Sequence, residues 1–523
     1  MTATRGMRPG WSWATLVAAS LYLLLAPSPG GSPSAAAADP PEAGSASTEP
    51  PPEARGRNAY RPTVWLADED YLRWPVPPGA ERYGRIDGAR IKDHVRALAA
   101  IARKSRAGGN QYWGRITGTP ADRETTDWVA EQLRRAGVEQ VRIQEFGLPP
   151  QWFPTGWTVT AAAGDTAVVL DSAFPLFNSV GTPGLELEPV WVGTGTAADF
   201  IGRDVKGKAV VAYGFPNPGG RTNTAMTNGV VARADQAGAA ALFVILGFPG
   251  NVKNIPQAGG TQPPAGVPVF MLGNDDGNRL RELIEDGKAP KLRVRLEVES
   301  RAGLRTASVW GVLPGRSDEN IAVMAHTDAF FDGAMDNASG VGTLLELARF
   351  YAALPAGQRP RTMTFFTTSA HHAPSGEEAG IRWIHNNRQD MFERTALILN
   401  CEHTSQVQTY LMGRSLVASN TVSARRWYVG GSERLKTIAT GAFREFGVAL
   451  YSEPERRPGG ELSQVYQDAP GIHIIDHAIY HTDLDTPERV PAPGLEAAAR
   501  AFAKIIDEAN ELTLAELRGE EAR

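Results

Sequence analysis

Hydrophobic and polar positions change period several times along the chain, and each change marks an element. In residues 91–104 the apolar positions Ile91, Val95, Leu98 and Ile101 recur at helical spacing. Residues 125–136 repeat the pattern with Trp128, Val129 and Leu133, and Gly137 stands where a helix C-cap belongs. Residues 141–146 alternate as a strand. Between 156 and 301 short β-rich runs alternate with Gly- and Pro-containing turns. There 208–213, 239–245 and 267–271 read as strands, with a short helix at 232–238. From 307 onward the rhythm is strand, helix, strand: 319–325, 362–369, 396–400 and 472–475 are the strands. The helix at 339–352 carries Val341, Leu344, Leu345, Ala348 and Tyr351 on one stripe, with Ser339 near its N-cap. This alternation predicts an α/β fold with a mixed, largely parallel sheet flanked by helices.

The ends of the chain depart from that pattern. Arg5 and Arg8 precede an apolar stretch at 13–26, and small residues at 34–38 offer cleavage sites, which together read as an export signal. The apolar stretch is short for a membrane span, so no stable membrane insertion is expected after cleavage, and the protein is expected to be secreted. Residues 39–57 are rich in Pro, Ala, Ser and Glu and read as a disordered tether. At 523 residues the chain exceeds one compact core. The net charge of −5, without a long basic run, argues against nucleic acid as the main partner. With Cys401 as the only cysteine, no internal disulfide and no sulfur-rich metal site can form, so any metal must sit on His and carboxylates.

Such residues fall where an α/β sheet binds its ligands, at the carboxyl ends of strands. His326 closes the first strand of the last region, with Asp328 two residues on. His371 and His372 close the second, Glu402 follows the third, and His481 comes shortly after the fourth. Every histidine except His94 lies after residue 320. Histidines at successive strand ends in a chain nearly devoid of cysteine point to a metal site. His385, His403 and His477 read as packing or surface residues, His403 with a supporting hydrogen bond at most.

The last region resembles the co-catalytic zinc aminopeptidases, a family that includes glutamate carboxypeptidases. The resemblance rests on Ala325-His326-Thr327-Asp328, on Gly333-Ala334-Met335-Asp336-Asn337-Ala338-Ser339-Gly340-Val341, and on Tyr480-His481-Thr482 with Asp485-Thr486. Gly118-Thr119-Pro120 matches the family's front segment. The stretch 156–301 resembles the protease-associated domain, through Asp204-Val205-Lys206-Gly207-Lys208, Ala232 with Gly238-Ala239-Ala240-Ala241, and Ile255-Pro256 or Val267-Pro268-Val269. The implied organisation is a signal peptide at 1–38, a linker at 39–58, and a peptidase domain at 59–155 and 302–515 interrupted by a small α/β insert at 156–301.

The resemblance implies two zinc ions and a peptide substrate. It implies that His326 binds one ion, His481 the other, and Asp336 bridges both, since co-catalytic ions sit about 3.5–4 Å apart. It further implies a cis peptide after Asp336, Asp328 accepting the second ring N–H of His326, Glu402 as the fourth-strand carboxylate ligand, and Tyr480 donating to the oxyanion. The family ends its second strand with a Glu-Glu pair, base then ligand; here those positions hold His371 and His372, while Glu377-Glu378 follows several residues later. Two assignments therefore stand open: His371 as base with His372 as ligand, or Glu377 as base with Glu378 as ligand. Three activities also stand open: an aminopeptidase, a carboxypeptidase using Arg425, Arg426 and Arg456 for the substrate carboxylate, or a catalytically weak metal-binding homologue.

Overall fold

The computed structural model describes residues 72–216, 223–256, 266–376, 380–412 and 415–520. The signal peptide and linker lie outside the described residues, as do Glu377 and Glu378.

Seven strands make the central sheet: β1 (Gln140–Gly147), β2 (Arg305–Leu313), β3 (Ser317–His326), β4 (Arg361–Thr368), β5 (Thr395–Cys401), β6 (Arg426–Gly430) and β7 (Gly471–Ile475). Their spatial order is β6-β7-β5-β3-β4-β2-β1. The inner four, β7, β5, β3 and β4, run parallel, and the outer three join antiparallel. The sheet is mixed with a parallel centre, as the strand–helix alternation predicts. Parallel strands are buried on both faces, which is why 321–325 is an unbroken apolar run, every residue of it fully buried.

The two faces of β3 meet different partners because successive side chains alternate. Ile321, Val323 and Ala325 pack against α3 (Gly340–Ala352), in a core completed by α1 (Gly88–Ala107), α4 (Glu433–Glu445) and α5 (Ala492–Ala509). Ala322 and Met324 pack against the helices Gly380–Asn387 and Gln389–Arg394. Helix α2 (Pro120–Arg135) joins the first group through Val129 and Leu133. It begins earlier than its apolar stripe indicates, because Thr119 caps the amide of Asp122 and Pro120 supplies a preset φ in the first turn. Among the described residues no helix is long and apolar enough to cross a membrane.

Between β1 and β2 the chain leaves the sheet and returns at one point. Gly147 pairs with Arg305, and the amide of Leu148 donates to the carbonyl of Leu304 at 2.9 Å. A long antiparallel ladder then runs between Gln151–Ala163 and Lys291–Arg301. Beyond it lies a five-stranded sheet of Phe174–Pro175, Val269–Leu272, Ala241–Leu246, Ala209–Gly214 and Pro189–Trp191, in that order. The insert shares a core with the peptidase region, in which Phe174 and Trp157 meet Trp113, Phe330 and Phe331. The insert is therefore seated against the end of the sheet where β3 terminates.

Candidate metal centre

The centre is built on Asp336, buried just before α3. Its backbone is fixed from three sides. Asp485 accepts from the amides of Met335 at 2.6 Å and Asp336 at 3.0 Å. Asn337 donates to the carbonyl of Cys401 at 3.0 Å and accepts from the amides of Gly340 and His403, tying the loop to the end of β5. Ser339 donates to the carbonyl of Met335 and accepts from the amide of Thr404. Gly340 has to be glycine: a Cβ there would lie 2.0 Å from the carbonyl oxygen of Cys401. The Asp336-Asn337 peptide is cis. Ahead of it, the fully buried guanidinium of Arg115 donates to the carbonyls of Thr327, Asp332 and Gly333 at 2.8–3.0 Å, holding the chain between β3 and Asp336.

Four imidazoles converge on this carboxylate, two on each oxygen. The Nε2 atoms of His326 and His403 lie 3.2 and 3.1 Å from Oδ1. The Nε2 atoms of His481 and His372 lie 3.2 and 3.5 Å from Oδ2. Atoms bound about 2.0–2.2 Å from one zinc ion at tetrahedral corners lie about 3.4 Å from each other, so these spacings suit a ligand pair on each of two ions. The Nε2 atoms of His326 and His481 are buried with no hydrogen-bond partner, an arrangement that a bound cation satisfies. The opposite ring nitrogens are anchored on carbonyls, His326 on Asp328 at 3.1 Å, His481 on Ile255 at 3.1 Å, and His403 on Asp476. A proton held at Nδ1 leaves Nε2 as the lone-pair donor.

Backbone conformation does the aiming. Ala370, His403 and His481 have φ of +64°, +49° and +53°, and Phe331 beside the site has +54°. Non-glycine residues rarely adopt this region, and such backbone collects at functional sites.

Asp328, Glu402, His371 and Tyr480 fall around this centre. The carboxylate of Asp328 accepts from the amides of His371 and His372 at 3.1 and 2.8 Å and from Thr117 at 3.2 Å. It is the Asp328 carbonyl, not its carboxylate at 3.7 Å, that lies nearest Nδ1 of His326. Glu402 is buried, accepts from Asn400 at 2.6 Å and packs against Gly460; its neighbour His403 is the one that reaches Asp336. His371 stacks on His326 with ring centroids 4.2 Å apart and sets its Nδ1 3.4 Å from Glu461, a buried carboxylate that also accepts from Thr368. The hydroxyl of Tyr480 lies 3.4 Å from Nε2 of His372, and its ring stacks on His481. His477 meets Arg426, and His385 pairs with Asp468 away from the centre.

Charge follows the same geometry. Burial alone would raise the Asp336 carboxyl, but His372, His326, His403 and His481 hold it well below the usual carboxylate range. Burial, reinforced by His372, lowers His481 to about 3, so it stands neutral and ready to donate a lone pair. Burial opposes protonation of His371, yet Glu461, Glu402 and Asp328 raise it to about 10.

Residues 308–506, which include all of these side chains except Arg115, Thr117 and Ile255, match Peptidase family M28. The chain is 25% identical over 411 residues to Aminopeptidase YwaD of Bacillus subtilis, covering 76% of this chain and 81% of that one. Its fold is that of BSAP, a zinc aminopeptidase from Bacillus subtilis, at TM-score 0.57 and 17% identity, with 85% of this chain and 99% of that chain covered. A Peptidase M28 precursor from Shewanella amazonensis superposes at TM-score 0.62 with 16% identity, covering 83% and 96%. The match to Peptidase family M28 and the likeness to aminopeptidases together support a hydrolase acting on peptide bonds.

Proposed function

We propose that the protein is an exported aminopeptidase with a two-zinc centre, in which His326 and His403 would hold one ion, His372 and His481 the other, and Asp336 would serve both. The observation that carries this reading is the pairing of two Nε2 atoms on each oxygen of one buried carboxylate. Zinc bound there would supply Lewis acidity toward the scissile carbonyl and would lower the pKa of water. The chain's own groups do the rest. Asp336 and the anchored imidazoles keep the donor atoms in place without rearrangement. Tyr480 presents its hydroxyl beside His372, where it donates to the oxygen that becomes negative as the carbonyl is attacked. Glu461 accepts the proton of the attacking water, His371, which Glu461 holds protonated, gives its own to the leaving amine, and the proton on Glu461 then returns to His371.

Two of the three arginines that a carboxypeptidase would use are engaged elsewhere, which favours the aminopeptidase reading. Arg425 is fully buried on the carbonyls of Ser423 and Thr404, and Arg426 pairs with Glu455 at 3.2 Å. The stretch 156–301 is read as a protease-associated domain that shapes substrate access, and the apolar segment behind Arg5 and Arg8 as the export signal.

The test is zinc content together with hydrolysis of aminoacyl and N-acetyl-aminoacyl anilides. The expected result is two zinc ions per chain and cleavage of the free-amine substrate alone; equal cleavage of the acetylated one refutes the aminopeptidase assignment. His371→Ala and Glu461→Gln should each lower kcat by about 100-fold or more, the usual range for acid–base groups. Loss in Glu377→Gln without loss in either of these overturns the base assignment.

A further inference from the structure

His481 takes its anchor from outside the peptidase domain. The acceptor for its Nδ1, the carbonyl of Ile255, belongs to the insert. The contact is a short stretch of antiparallel pairing, not a single touch. The amide of Ile255 donates to the carbonyl of His481 at 3.0 Å, and Asn254 faces Thr482 as a β-bridge while its Nδ2 donates to the same carbonyl at 3.3 Å. One residue further, the amide of Lys253 donates to Asp483 Oδ1 at 3.0 Å and the amide of Asp483 donates to the carbonyl of Lys253 at 3.2 Å. Val252, Asn254 and Ile255 are buried in this contact.

The same segment is tied at its other end to the body of the insert. Asn251 exchanges two hydrogen bonds with Asp276, at 3.0 and 2.9 Å, and the second oxygen of Asp276 accepts from Ser172. The amide of Asn274 donates to the carbonyl of Gly250 at 2.9 Å. A continuous polar path therefore runs from the insert's core to Nε2 of His481, and on to Asp336.

We propose that residues 250–256 of the insert are the positioning element for one of the two metal positions, so that docking of this segment and loading of the His372–His481 ion are thermodynamically linked. This rests on the reading of His481 as a ligand. His481 holds a left-handed backbone, φ +53°, which surrounding contacts must maintain, and the insert supplies those contacts. Linkage is reciprocal: what the segment contributes to metal affinity, the metal returns as protection of the segment.

The experiment is hydrogen exchange and zinc titration on the full chain. In the wild type, two zinc equivalents should slow exchange in peptides spanning 250–256 and 480–485 together by about tenfold or more, while 241–246 in the insert's core is unchanged. Asn254→Ala should weaken one of the two ions by about 10-fold or more, the usual effect of losing an outer hydrogen bond at a metal site, and leave the other at wild-type affinity. Asn254→Gln should restore part of the loss. Two ions bound with unaltered exchange at 250–256, or both affinities unchanged or equally reduced in Asn254→Ala, overturns the linkage. A wild type that binds no zinc fails at the centre itself, a distinct result that removes this proposal with it.

Discussion

His403 brings its Nε2 to within 3.1 Å of Oδ1 of Asp336, while the preceding Glu402 reaches away to Asn400. Replacing His403 by Ala should therefore remove one of two bound ions, weakening it by at least about 100-fold, beyond the range for outer-shell changes. Glu402→Gln, isosteric and further from the bridge, should keep both ions. Competition titration with a chromogenic chelator separates the two; loss of an ion in Glu402→Gln with retention in His403→Ala reverses the assignment.

Asp485 holds the bridging residue by accepting two buried amides. Asp485→Ala leaves both donors unpartnered, at about 1–3 kcal/mol each, and should lower the unfolding free energy by about 2–4 kcal/mol. Urea denaturation of the metal-free protein reads this directly. A change below about 0.5 kcal/mol would mean that the loop finds other acceptors.

Asp122 gives a pH signature. Burial is the main cause that raises its carboxyl to about 6, against hydrogen bonds from Thr306, Gly118 and Ser369. A folded-state value above the unfolded one means that the folded state binds the proton more tightly. Its contribution is complete below the ordinary pKa of 3.8 and is lost as pH rises through 6. Relative to Asp122→Asn, the wild type should thus lose up to about 3 kcal/mol of stability between pH 4 and pH 7, at about 1.4 kcal/mol per unit. Parallel denaturation curves at the two pH values test the sign: a wild type that gains on the variant with rising pH contradicts it.

Gly340→Ala places a methyl group 2.0 Å from the carbonyl oxygen of Cys401 and 2.3 Å from Oδ1 of Asn337. Backbone cannot yield as a flexible side chain does, so a cost of about 1–3 kcal/mol and weaker metal binding are expected together. Calorimetry with and without zinc measures both, and an unchanged Tm in each state would refute the steric account.

Much of this arrangement is legible in the sequence because it depends on strand ends and on one local motif. His326 closes a buried strand, and the Asp-Asn-Ala-Ser-Gly string carries its own hydrogen bonds, so both announce themselves. His403 does not. Beyond Cys401 the chain turns through a left-handed residue, and period-2 alternation, which would set Glu402 and His403 on opposite faces, ceases to apply. Only the adjacency of an acid and an imidazole after a strand hints at it. Glu461 opens a 3-10 turn, Glu461–Gln464, too short to leave a periodic pattern, and Arg115 comes from a two-residue strand whose partner, Ala329–Phe330, lies far along the chain. The anchoring of His481 by Ile255 joins residues 226 positions apart, and no local rule reaches that far.

The seating of the insert between β1 and β2 carries a consequence for assembly. These two strands form what is topologically a hairpin, yet during synthesis β2 is not made until the whole insert has emerged. A chain that had to find this pairing across an open loop would bear the closure entropy of the full insertion. The ladder of Gln151–Ala163 with Lys291–Arg301 removes that burden: once it zips, Gly147 and Arg305 are delivered side by side, and the hairpin closes as if its turn were short. The ladder thus lowers the closure cost of completing the sheet, while the insert's own core is finished only when Phe330 and Phe331 join it.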